Sequence, residues 1–168
     1  MTSPNQATAG IQGATDAPAS PALLVVEDSD DDLFLFRRLL SKAGVKNPLL
    51  IAITGQAAID QLTDIISRNN GSPIPGLVFL DLKLPLRSGF EVLEWIRGQP
   101  ALQRTVVVVL SSSAEARDVT RAYELGANGY LVKYPEPAVF RDLVERVSSL
   151  SAESGIGEIA SVGVPRPS

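Results

Sequence analysis

Three short apolar runs of this chain each end in residues that could do chemistry. Leu23–Val26 precedes Glu27 and Asp28, Leu77–Leu80 precedes Asp81, and Val106–Leu110 precedes Ser111. Apolar runs of this length predict strands that are buried on both faces of a sheet. The carboxyl ends of parallel strands meet at one edge, where open α/β sheets bind their ligands. We therefore expect carboxylates and a hydroxyl group to converge at that edge.

Glu27, Asp28 and Asp81 are candidate ligands of a metal ion. Three converging carboxylates without a basic partner repel one another, and a hard divalent cation relieves that repulsion. Mg²⁺ takes oxygen ligands and retains several waters. A lone acid at a strand end would more simply face solvent, but acids at the ends of two neighbouring strands favour a Mg²⁺ site.

The nearby acids Asp30, Asp31 and Asp32 have a simpler interpretation. Negative side chains in the first turn of a helix interact favourably with the helix dipole, and Ser29 is a suitable N-cap. We therefore assign these three acids to the start of the first helix rather than to the site.

Three more side chains could serve the same edge, although each also has an ordinary structural explanation. Lys133 could neutralise a phosphoryl group as a point charge, but a solvated lysine is the commoner case. Ser111 could donate its hydroxyl to the same group, or it could cap a helix. Tyr130 could be a core aromatic residue with a polar tip.

Composition limits the chemistry that the chain can perform. It has 168 residues, 45% of them hydrophobic, with no Cys and no His. Nucleophilic thiolates, disulfides, catalytic histidines and metal sites built on either residue are therefore excluded. A net charge of −4 disfavours direct binding to nucleic acid, which needs a basic surface. Because no segment has the roughly 20 apolar residues that span a bilayer, we expect no membrane contact and a cytoplasmic location.

The apolar periodicity alternates between strand and helix from residue 22 to residue 150. Predicted strands cover 23–26, 49–53, 77–81, 106–110 and 129–132, and predicted helices cover 30–43, 56–67, 89–97, 114–125 and 137–150. Five such pairs indicate an α/β fold with a five-stranded parallel sheet and helices on both faces. The composition of residues 1–21 predicts a disordered leader, and that of residues 151–168 predicts a flexible tail.

Taken together, these motifs resemble the receiver domain of two-component response regulators. The matching segments are Val25–Asp28, Leu80–Pro85 with Gly89, Leu110–Ser112 and Gly126–Lys133, in that order within residues 22–150. The resemblance implies a doubly wound, flavodoxin-like (βα)5 fold with strand order 2-1-3-4-5.

The resemblance also implies roles for the acids. Asp81 would accept a phosphoryl group. Glu27, Asp28 and Asp81 would hold Mg²⁺ together with the backbone carbonyl of Lys83.

Further roles follow from the resemblance for the other side chains. Ser111 and Lys133 would contact the phosphoryl oxygens. Tyr130 would be the switch aromatic that moves inward when Ser111 is drawn to the phosphate. Lys133 is followed by Tyr134 and then Pro135, whereas the family usually has proline directly after the lysine, so the customary cis peptide could be shifted or absent.

The function implied by the resemblance is that of a stand-alone response regulator. It would take its phosphoryl group from a partner histidine kinase, catalyse only its own phosphorylation and dephosphorylation, and signal through protein contacts. Nothing after residue 150 resembles an output domain. The long connector 68–76 and the segment 97–102 resemble single-domain regulators paired with bacterial phytochromes.

A homodimer is a further expectation from the resemblance. Many receivers dimerise through the face of the fourth helix, fifth strand and fifth helix. The residues on that face here would include Arg117, Arg121, Tyr123, Arg141, Asp142 and Arg146. Such mixed charges could form pairs between subunits, or they could equally be a solvated surface.

Three alternatives stay open to different degrees. A pseudo-receiver that binds partners without phosphorylation is disfavoured by the intact set of Asp81, Asp28, Ser111 and Lys133. A phosphatase with an aspartyl-phosphate intermediate needs a second Asp two residues after its nucleophile, where this chain has Lys83. A phosphorelay carrier that passes the group to a histidine phosphotransfer protein is compatible with all the motifs.

Overall fold

Strands and helices alternate along the residues that the computed structural model describes, which are 20–68, 73–152 and 162–168. The strands are Leu23–Val26 (β1), Leu49–Ala52 (β2), Leu77–Leu80 (β3), Val106–Ser111 (β4) and Gly129–Val132 (β5). The helices are Asp30–Lys42 (α1), Gly55–Arg68 (α2), Gly89–Arg97 (α3), Ala116–Glu124 (α4) and Pro137–Ala152 (α5), with a short 3-10 helix at Pro100–Leu102. Within these ranges no helix is both long and apolar enough to cross a membrane. Almost all of the predicted leader, residues 1–21, lies outside the described residues.

The strands form a parallel sheet in the order β2-β1-β3-β4-β5, which confirms the predicted doubly wound topology. Val26, the last residue of β1, lies opposite Ala52 of β2 and Leu80 of β3. The chain therefore reverses its winding direction between β1 and β3, and a crevice opens there at the carboxyl ends of the strands. The residues that follow β1 and β3, Glu27 and Asp81, flank this crevice.

Alternate strand residues build two separate apolar layers, one on each face of the sheet. In β3, Val78 and Leu80 pack with α2, α3 and α4, whereas Leu77 and Phe79 pack with α1 and α5. All four of these side chains are fully buried, as expected for a parallel strand covered by helices on both faces. The sheet is thus held rigidly between two layers, and its carboxyl edge remains open for chemistry.

Helix α1 begins directly after the sheet edge because a side chain caps it there. The Ser29 hydroxyl accepts the backbone N–H of Asp32 at 3.3 Å, which confirms Ser29 as the predicted N-cap. In the same way, Ser88 and Glu91 form a reciprocal capping box at the start of α3. These caps fix where the first turns of both helices approach the crevice.

Part of the predicted flexible tail, residues 153–161, lies outside the described residues, and the segment 162–168 lies within them. Val162–Gly163 forms a short sixth strand (β6) that pairs in parallel with β5. The N–H of Val164 donates to the carbonyl of Tyr130 at 2.8 Å, and the Tyr123 hydroxyl donates to the carbonyl of Val164 at 2.5 Å. Gly163 has a φ of 89°, and a Cβ there would lie 2.0 Å from the carbonyl oxygen of Tyr130. A glycine between two valines therefore allows this close approach, which the tail's composition did not reveal.

A cluster of three aromatic rings should dominate the stability of the layer under α1 and α5. Phe140 lies 5.0 Å from Phe79 and 5.6 Å from Phe36, measured between ring centroids. We expect Phe140→Ala to lower the free energy of unfolding by about 3–5 kcal/mol because it leaves a cavity. The control is Phe34, which is exposed on α1. Phe34→Ala should change the free energy of unfolding by less than about 0.5 kcal/mol. Urea unfolding measures both, and equal losses would contradict this description of the core.

Candidate functional site

Backbone hydrogen bonds continue the sheet by one residue and so place the side chains of the site. The N–H of Glu27 donates to the carbonyl of the last residue of β2 at 3.0 Å. The N–H of Asp81 donates to the carbonyl of the last residue of β1 at 3.1 Å. The N–H of Lys133 donates to the last residue of β4 at 2.9 Å. Because β1, β3 and β5 of the same parallel sheet extend in this way, these side chains meet at one part of the sheet edge.

The three acids predicted to bind a metal ion lie together. Oxygen atoms of Glu27, Asp28 and Asp81 all lie within 4.8 Å of one another. Glu27 and Asp81 are buried, whereas Asp28 is exposed. Buried carboxylates on one side and solvent on the other suit a hard cation that retains part of its water shell. The backbone N–H of Lys83 donates to Oδ1 of Asp81 at 3.3 Å, and the role of its carbonyl as a ligand stays a prediction.

Lys133 is part of this cluster and is not an ordinary solvated lysine. Its Nζ lies 2.5 Å from Oε2 of Glu27, 2.9 Å from Oδ2 of Asp32 and 3.1 Å from Oδ2 of Asp81. Only 7% of its side chain is exposed. Burial alone would lower the pKa of Lys133, but its hydrogen bonds to Glu27 and Asp32 and the charge of Asp81 raise it above the ordinary value. The amine is therefore a fixed positive charge beside Asp81.

The buried acid Glu27 depends on that positive charge. Burial raises the pKa of its carboxyl group, and the charge of Asp81 acts in the same direction. The hydrogen bond from Lys133 opposes both effects. The site thus holds its carboxylates close together only because a cation lies between them.

Ser111 and Tyr130 both form hydrogen bonds with the loop that joins β4 to α4. Ser111 is completely buried, and its Oγ accepts the N–H of Ser113 at 3.1 Å. Tyr130 is also completely buried, and its hydroxyl donates to the carbonyl of Ser113 at 2.8 Å. The ring is therefore in the inward position, and its predicted movement stays a prediction. The loop forms a direct physical link between the hydroxyl at the sheet edge and the aromatic ring.

Two residues of the cluster were not assigned to it from the sequence. Asp32, which we assigned to the first turn of α1, pairs with Lys133, and the hydroxyl of Tyr134 donates to Oδ1 of Asp32. The peptide bond between Lys133 and Tyr134 is cis although Tyr134 is not a proline. One signal was present for Asp32, which lies four residues before the buried Phe36 and so shares the helix face that packs on the sheet.

Gly89 brings the start of α3 against the site. A Cβ at this position would lie 2.1 Å from the carbonyl oxygen of Asp81. The backbone of α3 can therefore approach the loop after β3 only because residue 89 is glycine.

We expect Mg²⁺ to stabilise the fold through the exposed acid of this cluster. Binding to the folded state alone raises the free energy of unfolding, by about 2.7 kcal/mol when Mg²⁺ is at 100 times its Kd. Asp28→Ala should weaken binding at least about tenfold and so remove about 1.4 kcal/mol of that gain. Asp30→Ala removes the same charge from an exposed residue outside the cluster and is the control. Urea unfolding with and without Mg²⁺ tests this, and an equal response of both variants would contradict it.

Comparison with known proteins agrees with this geometry. Residues 23–147 match the family described as response regulator receiver domain. The response regulator Rcp1 of Synechocystis sp. is 41% identical over 111 residues, which are 66% of this chain and 75% of Rcp1. The Mn²⁺-bound form of Rcp1 superimposes with a TM-score of 0.61 at 34% identity, covering 88% of this chain and 99% of Rcp1.

Two other solved structures are similar to this chain. The bacteriophytochrome response regulator AtBRR has a TM-score of 0.66 at 35% identity, covering 83% of this chain and 99% of AtBRR. The phosphorylated cyanobacterial phytochrome response regulator RcpA has a TM-score of 0.64 at 30% identity, covering 82% of this chain and 97% of RcpA.

Proposed function

Because this chain belongs to the response regulator receiver domain family, we propose that it is a stand-alone response regulator that accepts a phosphoryl group on Asp81. The observation that carries the proposal is the position of Asp81, with a buried lysine ammonium at 3.1 Å and the other two carboxylates of the acidic cluster beside it. Rcp1 and AtBRR match this chain over most of their own length, which supports a response regulator of the same kind.

The chemistry would be the in-line transfer of a phosphoryl group from a phosphohistidine to a carboxylate oxygen of Asp81. The new bond joins that oxygen to phosphorus, and the bond from phosphorus to the histidine nitrogen breaks. Such a transfer depends mainly on positioning and on neutralising the charge of the phosphoryl oxygens. Lys133 supplies one fixed positive charge at the required place, and Ser111 supplies a hydroxyl.

Mg²⁺ would be held by Glu27, Asp28, Asp81 and the carbonyl of Lys83, and when bound it would neutralise the phosphoryl oxygens further. The donor set of the described residues fits such an ion, since it consists of oxygen atoms alone. The Mn²⁺-bound form of the similar protein Rcp1 is compatible with a divalent metal in this site.

Phosphorylation would change the conformation of the loop after β4. Phosphorylation would replace the single negative charge of the Asp81 carboxylate by a phosphoryl group with a charge of about −2 and three acceptor oxygens. These oxygens would attract the hydroxyl of Ser111, which now accepts the N–H of Ser113. Ser113 also binds the hydroxyl of Tyr130, so a shift of this loop would reach β5 and its ring. The output is therefore a change of surface around α4 and β5, recognised by a protein partner.

The donor we propose is a sensor histidine kinase of the phytochrome type in the cytoplasm. AtBRR and RcpA, both similar to this chain at 30% identity or more, are phytochrome response regulators. This chain would then act as an enzyme only in its own phosphorylation and dephosphorylation.

Intact mass spectrometry after incubation with acetyl phosphate and Mg²⁺ tests the proposed phosphorylation. We expect a single phosphoryl adduct on the wild type, with none on Asp81→Asn and none when Mg²⁺ is omitted. Asp60→Asn removes an exposed acid of α2 and should leave the adduct unchanged. A wild type without an adduct, under conditions that label another receiver, would overturn the proposal and favour a pseudo-receiver.

We also propose a homodimer through the face of α4, β5 and α5, although several side chains expected there have partners within the chain. The Arg121 guanidinium lies 4.4 Å from the ring centroid of Phe90 on α3. Nε of Arg141 donates to the carbonyl of Ala43 at 3.0 Å, on the α1 side of α5. Arg117 and Arg146 are exposed on this face, and Arg117 pairs with the neighbouring Glu115 at 2.7 Å.

Light scattering tests this dimer at a fixed protein concentration with Mg²⁺ and acetyl phosphate. The double variant Arg117→Ala, Arg146→Ala should have a lower average mass than the wild type, because it loses charges at the subunit interface. Arg37→Ala with Arg38→Ala removes two exposed arginines of α1 and should leave the mass unchanged. A wild type that is monomeric with and without acetyl phosphate would disprove the dimer.

A further inference from the structure

Lys133 has three carboxylate partners, and they are not equivalent. Glu27 and Asp81 belong to the group of acids whose oxygens lie close enough to share a metal ion. Asp32 does not belong to that group, although its Oδ2 lies 2.9 Å from Nζ of Lys133. Asp32 is also the more exposed partner, with 31% of its side chain accessible compared with 5% for Glu27. The lysine therefore bridges the acids that could share a metal ion and one acid outside that group.

Asp32 is itself held from three sides. Its backbone N–H donates to the capping hydroxyl of Ser29 at 3.3 Å, which fixes the first turn of α1. Its Oδ1 accepts the hydroxyl of Tyr134, and its Oδ2 accepts the ammonium of Lys133. Both carboxylate oxygens are thus used, and the side chain points at the sheet edge rather than into solvent.

Binding of a divalent cation would change the surroundings of Lys133. Carboxylate oxygens of Glu27 and Asp81 would coordinate the ion. The hydrogen bonds from the Lys133 ammonium to these two acids would then weaken. A lysine side chain has many rotamers, and holding it in one position costs conformational entropy. Asp32 would still be available to pair with the ammonium, because it is not among the acids that could share the metal ion.

We propose that Asp32, oriented by Tyr134, is a positioning residue that keeps the Lys133 ammonium beside Asp81 while the metal ion is bound. The inference rests on the proposed phosphoryl transfer to Asp81. Asp32 does not touch the reacting atoms and acts through Lys133. Tyr134 acts one step further away, since its hydroxyl donates to Oδ1 of Asp32 and the lysine binds Oδ2.

The ammonium signal of Lys133 tests this position directly. In protein with ¹⁵N-labelled lysine, an ammonium group that is buried and ion-paired exchanges its protons slowly enough to give a ¹H–¹⁵N cross-peak at mildly acidic pH. The other lysines of the chain, Lys42, Lys46 and Lys83, are exposed. Lys133→Arg identifies the signal by removing it.

We expect the Lys133 cross-peak to persist when the wild type is saturated with Mg²⁺. It should disappear from Asp32→Ala under the same conditions and weaken in Tyr134→Phe, which keeps the ring. Asp31→Ala removes an adjacent exposed acid and should behave as the wild type. Loss of the wild-type signal on adding Mg²⁺, or its survival in Asp32→Ala, would overturn the inference. Since Tyr134→Phe removes only the hydroxyl of an exposed residue, it keeps the test valid if Asp32→Ala folds poorly.

Phosphorylation kinetics with acetyl phosphate give the second measurement. Because small displacements of a charge at a reacting centre are costly, Asp32→Ala should lower the rate constant at least about tenfold. Tyr134→Phe should lower it by roughly two- to tenfold, the usual range for one hydrogen bond. An unchanged rate in Asp32→Ala would also overturn the inference. A wild type that is never phosphorylated would instead overturn the proposed function, and the ammonium signal would still report whether Asp32 holds the lysine.

Discussion

The structure depends on one electrostatic constraint, which is that carboxylates gathered at a sheet edge require a cation. Glu27 and Asp81 are buried side by side, and unpaired buried charges of the same sign would be strongly destabilising. The ammonium of Lys133 lies between them, within 3.1 Å of each. In the described part of the chain, no buried side-chain nitrogen or oxygen lacks a hydrogen-bond partner. The buried charges of the site are therefore all paired, which is the condition under which such a cluster can be rigid.

The rest of the fold brings these charges together from distant parts of the sequence. Residues 27, 81 and 133 follow three strands of one parallel sheet, and their backbone N–H groups continue the strand ladder. Two apolar layers hold the sheet from both faces. Because dense apolar packing resists deformation, the backbone at the strand ends is held in fixed positions. The functional side chains therefore need little further support.

The loop after β4 and the strand β5 connect this edge to the molecular surface. Ser113 binds both Ser111 and Tyr130, and the carbonyl of Tyr130 in turn binds the N–H of Val164 in the C-terminal segment. The face that we propose for dimerisation is thus partly lined by the chain's own last residues. A half-buried arginine of α3, Arg97, also holds this region by hydrogen bonds to Gly126, Thr105 and Asn128.

Local patterns in the sequence were enough to predict the fold class and the acids at the sheet edge, and the resemblance to a family predicted the strand order. Apolar runs and helical periodicity are local signals, and the acids at the strand ends follow directly from them. The convergence of Glu27, Asp28 and Asp81 was predictable because parallel strands end at one edge.

Which of several similar residues takes part in the cluster depends on long-range packing. Asp30, Asp31 and Asp32 are equivalent as first-turn acids, yet only Asp32 among them pairs with Lys133, because the packing of α1 on the sheet turns that position towards the edge. Tyr134 joins the cluster through a contact with a residue 102 positions away. The strand at Val162–Gly163 likewise depends on a glycine that fits against the backbone of β5. Contacts of this kind join residues far apart in the chain, and neither composition nor periodicity carries information about them.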